Sequence, residues 1–424
     1  MNAALAFFLI TFFALSVPVA VSIGLASIFS IHFFSNLPLL VVPQKMFTGL
    51  DSFPLMAVPF FILAGVIMTH GGISERLVDF VKSLVGGIQG GLASSCVLTC
   101  MVFAAISGSS VATTFAIGSI LIPAMVRHGY PTPMAASIQA SSAELGVIIP
   151  PSVPLILYAV STETSITKLF LAGLVPGLTI VVALIIMVQV WCRRKGYGLR
   201  DGESREPIGK ATYRAFGALL MPIIIIGGIY GGIFTPTEAA AVSVVYALIL
   251  SVFIYREITI AELPALFRHA AKSSGAVMMI IAAASLFSFL ISLSGLPDEI
   301  GAWAKETFSS PIFFLLGINV LLFFVGMFLE TSAAILVLAP ILTPVAISFG
   351  IDPVHFGVII VVNLALGMFT PPLGVNLFAA AQVADIPVQR MFSSLVWPIL
   401  VVISALMLIT YVPALSVGVA NWGI

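Results

Sequence analysis

Charge is what this sequence has least of. Asp, Glu, Lys and Arg make up 8% of its 424 residues, against roughly 25% in a soluble globular domain. So few charged side chains cannot cover a water-facing surface. With 60% hydrophobic residues and a mean hydropathy of +1.20, the solvent that fits is a lipid bilayer. The formal net charge of +0 leaves no electrostatic footprint for nucleic acid. Cysteine is scarce too: Cys96, Cys100 and Cys192 are the whole set. Cys96 and Cys100 sit four apart in an apolar run, which reads as small core residues on one helix face rather than a metal pair. His32, His70, His128, His269 and His355 lie at segment ends or loops, without metal-ligand spacing. None falls within a predicted membrane interior, so an intramembrane enzyme would lack its base, and the chain reads as no enzyme. Residues 1–30 carry no charged side chain. A cleaved signal peptide wants a basic stretch first, so this segment reads as a retained first transmembrane helix.

What is abundant is long apolar runs. They cover roughly 3–30, 53–70, 91–126, 133–161, 168–192, 216–233, 237–255, 274–293, 311–348, 353–383 and 392–415. A bilayer crossing takes about 20 residues, so 91–126 and 311–348 are too long for one. Each has a small or polar break near its middle. The first reads Ser107-Gly108-Ser109-Ser110, then Thr113-Thr114; the second reads Glu330-Thr331-Ser332. Both are expected to be re-entrant hairpins. Two further runs are interrupted at Pro150-Pro151-Ser152 and at Thr370-Pro371-Pro372-Leu373-Gly374-Val375-Asn376. Paired prolines remove amide donors and stop a continuous helix. Such breaks survive in a membrane only inside protein or beside a water-filled cavity.

These breaks recur at one offset. A shift of 221 places Pro150-Pro151 on Pro371-Pro372, Pro123 on Pro344, Gly129 on Gly350, Gly146 on Gly367, and Ser109-Ser110 on Glu330-Thr331. The chain therefore contains an internal duplication of hairpin plus broken helix. The expected fold is an all-α polytopic membrane protein. Residues 1–192 form the first repeat, with hairpin 91–126 and broken helix 133–161. A cytoplasmic loop 193–215 and a linking transmembrane helix 216–233 follow. Residues 234–424 form the second repeat, with hairpin 311–348 and broken helix 353–383. Four crossings per repeat and an odd linker invert the second repeat, a plan common among secondary transporters. Placing Arg193, Arg194, Lys195, Arg200, Arg205, Lys210 and Arg214 in the cytoplasm puts fourteen of the seventeen basic residues on that side. The expected N-terminus is then cytoplasmic and the C-terminus lies on the far side. Segments 73–85, 259–270 and 297–308 are more polar, and read as interfacial arm helices or solvated connectors.

Four interruptions meeting near the midplane would offer helix N-termini to a substrate carboxylate. They would offer free carbonyls and hydroxyls to sodium. Expected substrate-binding residues are Ser107, Gly108, Ser109, Ser110, Pro150, Pro151, Ser152, Thr331, Ser332 and Asn376. Expected sodium ligands are Ser109, Ser142, Thr331, Asn363, Thr370 and Gly374. Small residues also serve as packing surfaces, and a passive channel also uses broken helices. Glu144, six residues before the proline pair, is either a functional ionisable group or a protonated structural one. Glu238 follows Thr235-Pro236-Thr237 and reads as part of a helix start. Glu330 either shapes the second tip or faces water.

At these motifs the chain resembles the large membrane subunit of the tripartite ATP-independent periplasmic (TRAP) transporters. The stretches that carry the likeness are Ser107-Gly108-Ser109-Ser110, Ile149-Pro150-Pro151-Ser152 and Thr370-Pro371-Pro372. Two more are Phe234-Thr235-Pro236-Thr237-Glu238-Ala239 and Pro59-Phe60-Phe61-Ile62-Leu63-Ala64-Gly65. The resemblance implies a bacterial inner-membrane subunit taking up an organic acid, of four-carbon dicarboxylate or sialic acid type, with sodium as the coupling ion and no other cofactor. It implies two partners, a small four-helix membrane subunit and a periplasmic substrate-binding protein. It also implies elevator-like motion of a transport domain against a scaffold. No four-helix block precedes residue 1, so the small subunit is expected as a separate chain. The related divalent-anion/sodium symporters, which work without a binding protein, share the hairpin plan. They typically carry Ser-Asn-Thr at both tips, unlike this chain.

Overall fold

The structure is a computed structural model and describes residues 1–198 and 206–420. Arg200 and Arg205 of the basic loop lie outside the described residues. The first repeat runs α1 (Asn2–Ala14), α2 (Val19–Phe34), α3 (Val41–Leu50), α4 (Ala57–His70), α5 (Ile73–Val85), α6 (Gly91–Ser107), α7 (Ser110–Arg127), α8 (Thr132–Ala143), α9 (Leu145–Ile148), α10 (Val153–Ser161) and α11 (Ile166–Lys195). Then come α12 (Ile208–Tyr230), α13 (Pro236–Leu248), α14 (Leu263–Leu293), α15 (Leu296–Thr307), α16 (Pro311–Phe328), α17 (Thr331–Ser348), α18 (Pro353–Met368), α19 (Val375–Ala384) and α20 (Phe392–Tyr411). Among the described residues there is no strand, and nine helices are long and apolar enough to cross a membrane. A bent pair, 132–148 with 153–161, brings the number to ten, its halves meeting at 43°.

The 221-residue offset holds helix by helix. It carries α6, α7 and α8 onto α16, α17 and α18, α5 onto α15, α2 onto α13, and α4 onto the second half of α14. Packing follows the same relation. α4 lies against α13, and α2 lies against α14. The hairpin arms are crossed: α7 carries α19 from the second repeat, and α17 carries α10 from the first. The broken helices form the centre. Every residue of α8 from Met134 to Ala143 is buried, as is every residue of α18 from Val354 to Met368. α12 buries only a third of its best span, the pattern of a helix with one face on protein and the rest toward lipid.

Glycines at matched positions allow the closest approaches. A Cβ on Gly367 would lie 2.3 Å from the carbonyl carbon of Gly326, so α16 and α18 touch backbone to backbone. Its counterpart Gly146 would place a Cβ 2.8 Å from the Ser109 carbonyl oxygen. Each contact seats a hairpin on the broken helix of its own repeat.

Two sequence expectations differ from what is observed. Segment 3–30 is not one helix. Ser16 turns left-handed (φ 58°), Pro18 follows, and α1 and α2 pack on each other as a short hairpin. Proline supplies no amide and clashes with the turn before it, so the run reverses there although it carries no polar break. Segment 259–270 is not a separate arm either. From Leu263 it is the first part of the 31-residue α14, with Pro264 in the first turn, where its missing N–H is harmless. The start of α13 matches its reading. The Thr235 hydroxyl accepts from the Glu238 amide at 3.3 Å, and the Thr235 amide donates back to the Glu238 carboxylate at 2.8 Å. This reciprocal pair satisfies two end-of-helix donors.

Candidate functional site

The first tip forms because Gly108 takes a left-handed conformation (φ 60°) that ends α6. Ser109 then caps α7, its hydroxyl accepting from the Ala112 amide at 3.4 Å. Ser107 and Thr113 close the turn by a hydroxyl–hydroxyl bond of 3.1 Å. The tip rests on the first proline break: the Val153 amide donates to the Gly108 carbonyl at 3.5 Å. A Cβ on Gly108 would lie 3.0 Å from the Pro151 carbonyl oxygen. At the second tip Glu330 takes the capping role. Its carboxylate accepts from the Ser332 amide (2.9 Å), the Ala333 amide (3.2 Å) and the Ser332 hydroxyl (2.9 Å). The second break is tied back to its own hairpin by the Gly374 amide, which donates to the Met327 carbonyl at 3.2 Å.

The two tips meet at one side chain. The Ser110 hydroxyl lies 3.8 Å from the Met368 sulfur, and the Thr331 hydroxyl lies 2.8 Å from it. Ser110 and Thr331 are related by the 221 offset, so a single thioether joins equivalent positions of the two repeats. A second link crosses the repeats deeper in the protein, where the Asn376 side-chain amide donates to the Glu144 carboxyl. Glu144 is 2% exposed and Asn376 is fully buried. Among the described residues Asn376 is the one protein donor to this buried carboxyl, so Asn376→Leu removes it at a cost of about 3 kcal/mol. The expected result is a clearly lowered thermal midpoint in detergent. Glu144→Gln can pair with Asn376 amide to amide and should unfold at a midpoint near that of the parent.

Between the tips and the α4/α14 side lies a cavity of ≈ 790 Å³. Ser107, Gly108, Ser109 and Ser110 line it from the first tip, and Glu330 and Ser332 from the second. Val153 and Pro154, at the start of α10, also line it, as do the pseudo-equivalent pair Val147 and Met368. Its far end is bounded by His70, Glu75, Glu257 and His269. There Arg76 bridges α5 to Glu257 at 3.0 Å. The N-termini of α7 and α10 therefore open onto the cavity with no acidic residue in their first turns. The α17 N-terminus is already occupied by the Glu330 carboxylate. At α10 the Val153 and Leu155 amides are already bonded and Pro154 has none, so this side of the cavity offers an anion the first-turn amides of α7 and the positive ends of both helices, while another side bears a carboxylate.

The remaining expected residues lie elsewhere. Pro150, Pro151, Thr370 and Gly374 shape the breaks behind the cavity wall. Ser152 caps α10, accepting from the Leu155 amide at 3.3 Å and donating to the Val147 carbonyl. The Ser142 and Thr370 hydroxyls donate to Ile138 (2.6 Å) and Leu366 (2.7 Å) of their own helices. Asn363 donates to Asn319 at 2.7 Å, and Asn319 to Thr410 at 3.2 Å, in a separate polar ladder. Met368 and the α4/α14 wall were not anticipated. A methionine in an apolar run carries no signal, and the facing wall comes from helices without breaks.

Two hairpins and two broken helices, interleaved around a cavity inside a multi-pass helical protein, define a membrane permease of repeat architecture. The chain matches the family model of the tripartite ATP-independent periplasmic transporter, DctM component, over residues 6–415, and it belongs to that family. It is 43% identical over 402 residues to the C4-dicarboxylate TRAP transporter large permease protein DctM of Pseudomonas aeruginosa, covering 95% of this chain and 94% of that protein. It is 41% identical over 344 residues to the sialic acid TRAP transporter large permease protein SiaM of Vibrio cholerae, covering 81% of each. It is also 43% identical to the isethionate TRAP transporter permease protein DctMQ of Oleidesulfovibrio alaskensis, covering 97% of this chain and 65% of that one. Among solved structures, the Alcanivorax borkumensis YdaH transporter shares the fold, with a TM-score of 0.65 at 16% identity over 99% of this chain and 98% of that one.

Proposed function

We propose that this TRAP large permease takes up a small organic acid, of C4-dicarboxylate or sialic acid type, by symport with sodium. The observation that carries this reading is the pair of uncharged helix N-termini, α7 and α10, converging on one ≈ 790 Å³ cavity between the hairpin tips. The first-turn amides of α7 and the positive ends of the two helices suit a carboxylate. The dicarboxylate and sialic acid named for the relatives both carry that group. Sodium is supported by the chemistry of the donor set. Among the described residues the side-chain oxygens of Asn363 and Asn376 are buried without a protein donor, and oxygen ligands are what a hard cation needs. Ser109, Ser142, Thr331, Thr370 and Gly374 complete the proposed ligand group. A small membrane subunit and a periplasmic binding protein are the proposed partners, in keeping with the two-component name of the isethionate relative.

The test is uptake into liposomes holding this chain, its small subunit and the cognate binding protein. An inward sodium gradient should drive accumulation, and potassium in its place should reduce it to background. Equal uptake in potassium rejects sodium as the coupling ion.

The proposed moving body is the two hairpins with the broken helices, and the proposed scaffold is α2, α4, α13 and α14. The distribution of basic residues supports an orientation with the His70–Glu257 end of the cavity toward the cytoplasm in the inner membrane. With α1 and α2 as a hairpin that returns to its starting side rather than a single crossing, both chain ends fall on the periplasmic side in this orientation. A cysteine placed at Asn2 in a cysteine-free background should then react with an impermeant maleimide in intact spheroplasts. Labelling only after lysis would restore the cytoplasmic placement that a single helix 3–30 predicts.

A further inference from the structure

A second concavity lies far from the hairpin tips, on the outer face where α11 meets α20. It measures ≈ 630 Å³. On α11 its lining runs from Thr179 to Lys195, about 24 Å of helix, close to the depth of one leaflet and its headgroup layer. The walls are apolar and open to the surroundings: Ile186 is 58% exposed and Trp397 is 54% exposed. Two hydroxyls lie in the groove, and both turn back on their own helices. Thr179 donates to Val175 and Ser404 to Leu400, each at 2.8 Å. The groove therefore offers an occupant no free hydroxyl donor along its length. At one end it does the opposite. Arg194 and Lys195 line that end, and among the described residues no carboxylate pairs with either. Trp191 and Trp397 stand beside them, as tryptophans do at a membrane–water boundary.

We propose that this groove is a specific seat for an anionic phospholipid, with its phosphate at Arg194 and Lys195 and an acyl chain along α11 and α20. A polypeptide helix bringing polar side chains would find no free hydroxyl donor along this groove. An acyl chain asks for none, and its headgroup needs the charge found only at the basic end. α11 and α20 also flank the central broken helices, with α20 on α8 and α11 on α18. The lipid would brace the outer side of the element that holds the breaks. This inference rests on the membrane-embedded fold alone and does not depend on the proposed substrate or coupling ion.

The experiment is thermal unfolding of the purified full chain in detergent, with added phosphatidylglycerol or with phosphatidylethanolamine of the same acyl chains. Phosphatidylglycerol should raise the midpoint by several degrees, and phosphatidylethanolamine by less than a third of that shift. The double variant Arg194→Gln/Lys195→Gln should keep the lipid-free midpoint and lose the phosphatidylglycerol shift. Ala183→Trp, which fills the groove and leaves the charges in place, should lose it as well. A full shift in either variant, or equal shifts with the two lipids, would overturn the assignment. So would a lipid-independent change from dimer to monomer in Ala183→Trp by light scattering, which would mark the groove as a contact between copies.

Discussion

Ser109→Trp should leave a protein that inserts, folds and binds its partners, and that takes up no substrate. Ser109 caps α7 through one bond of 3.4 Å, a contact worth about 1 kcal/mol, so losing it does not unfold the hairpin. The indole would project into the cavity at the α7 N-terminus, where the start of α10 also lines the wall. It would remove both the space and the field an anion needs there. Uptake in the sodium-driven liposome assay should fall at least tenfold, the equivalent of about 1.4 kcal/mol of binding free energy, while the yield and thermal midpoint stay close to those of the parent. Normal uptake by this variant would place the substrate somewhere other than the first tip.

Gly367→Ala should have the opposite signature, with a large loss of stability far from any exposed surface. One added methyl would lie 2.3 Å from the Gly326 carbonyl carbon, and no side chain there can move aside. The two helices must separate, opening the contact between α16 and α18 that holds the second hairpin. Overpacking of this kind costs about 3 kcal/mol, a large share of the stability of a typical domain. The expected readout is a lower midpoint and reduced yield from membranes. Gly146→Ala should behave similarly but less severely. Its counterpart contact is 2.8 Å to the Ser109 carbonyl oxygen, and the neighbouring tip is open to a cavity and can shift. Equal midpoints for Gly367→Ala and the parent would show that the helices have room to separate at no cost.

How much was legible follows from which residues punctuate the chain. Glycine and proline act on the backbone through sterics alone, so Gly108, Pro150-Pro151 and Pro371-Pro372 marked the breaks before any fold was known. The offset of 221 shared by the proline pairs exposed the duplication for the same reason. Thr235 and Glu238 were legible because a capping box is a local bond pattern. The reversal at Ser16–Pro18 was hidden, since neither side of it carries charge and hydropathy alone sees one run. The polar face of residues 259–270 suggested an arm because composition cannot tell a separate helix from the exposed first turns of a long one. The cavity was half visible. Its tip side is written in polar residues at a break, while Met368 is an apolar residue and the α4/α14 side comes from unbroken helices that only packing brings there. Glu144 stood out by charge, but its partner Asn376 lies 232 residues away, and no local rule connects them.

The crossed seating of α19 on α7 and of α10 on α17 bears on how the molecule is made. A nascent chain that has reached Lys195 holds a complete half with no resting place for two of its surfaces: α10 awaits an arm not yet synthesised, and α7 awaits a strut still further downstream. That half cannot close on itself. It must stay open in the bilayer until translation delivers the other, and two such halves produced as independent genes would be obliged to swap parts across an antiparallel dimer. Joining them on one polypeptide makes the exchange permanent and fixes their ratio at one to one.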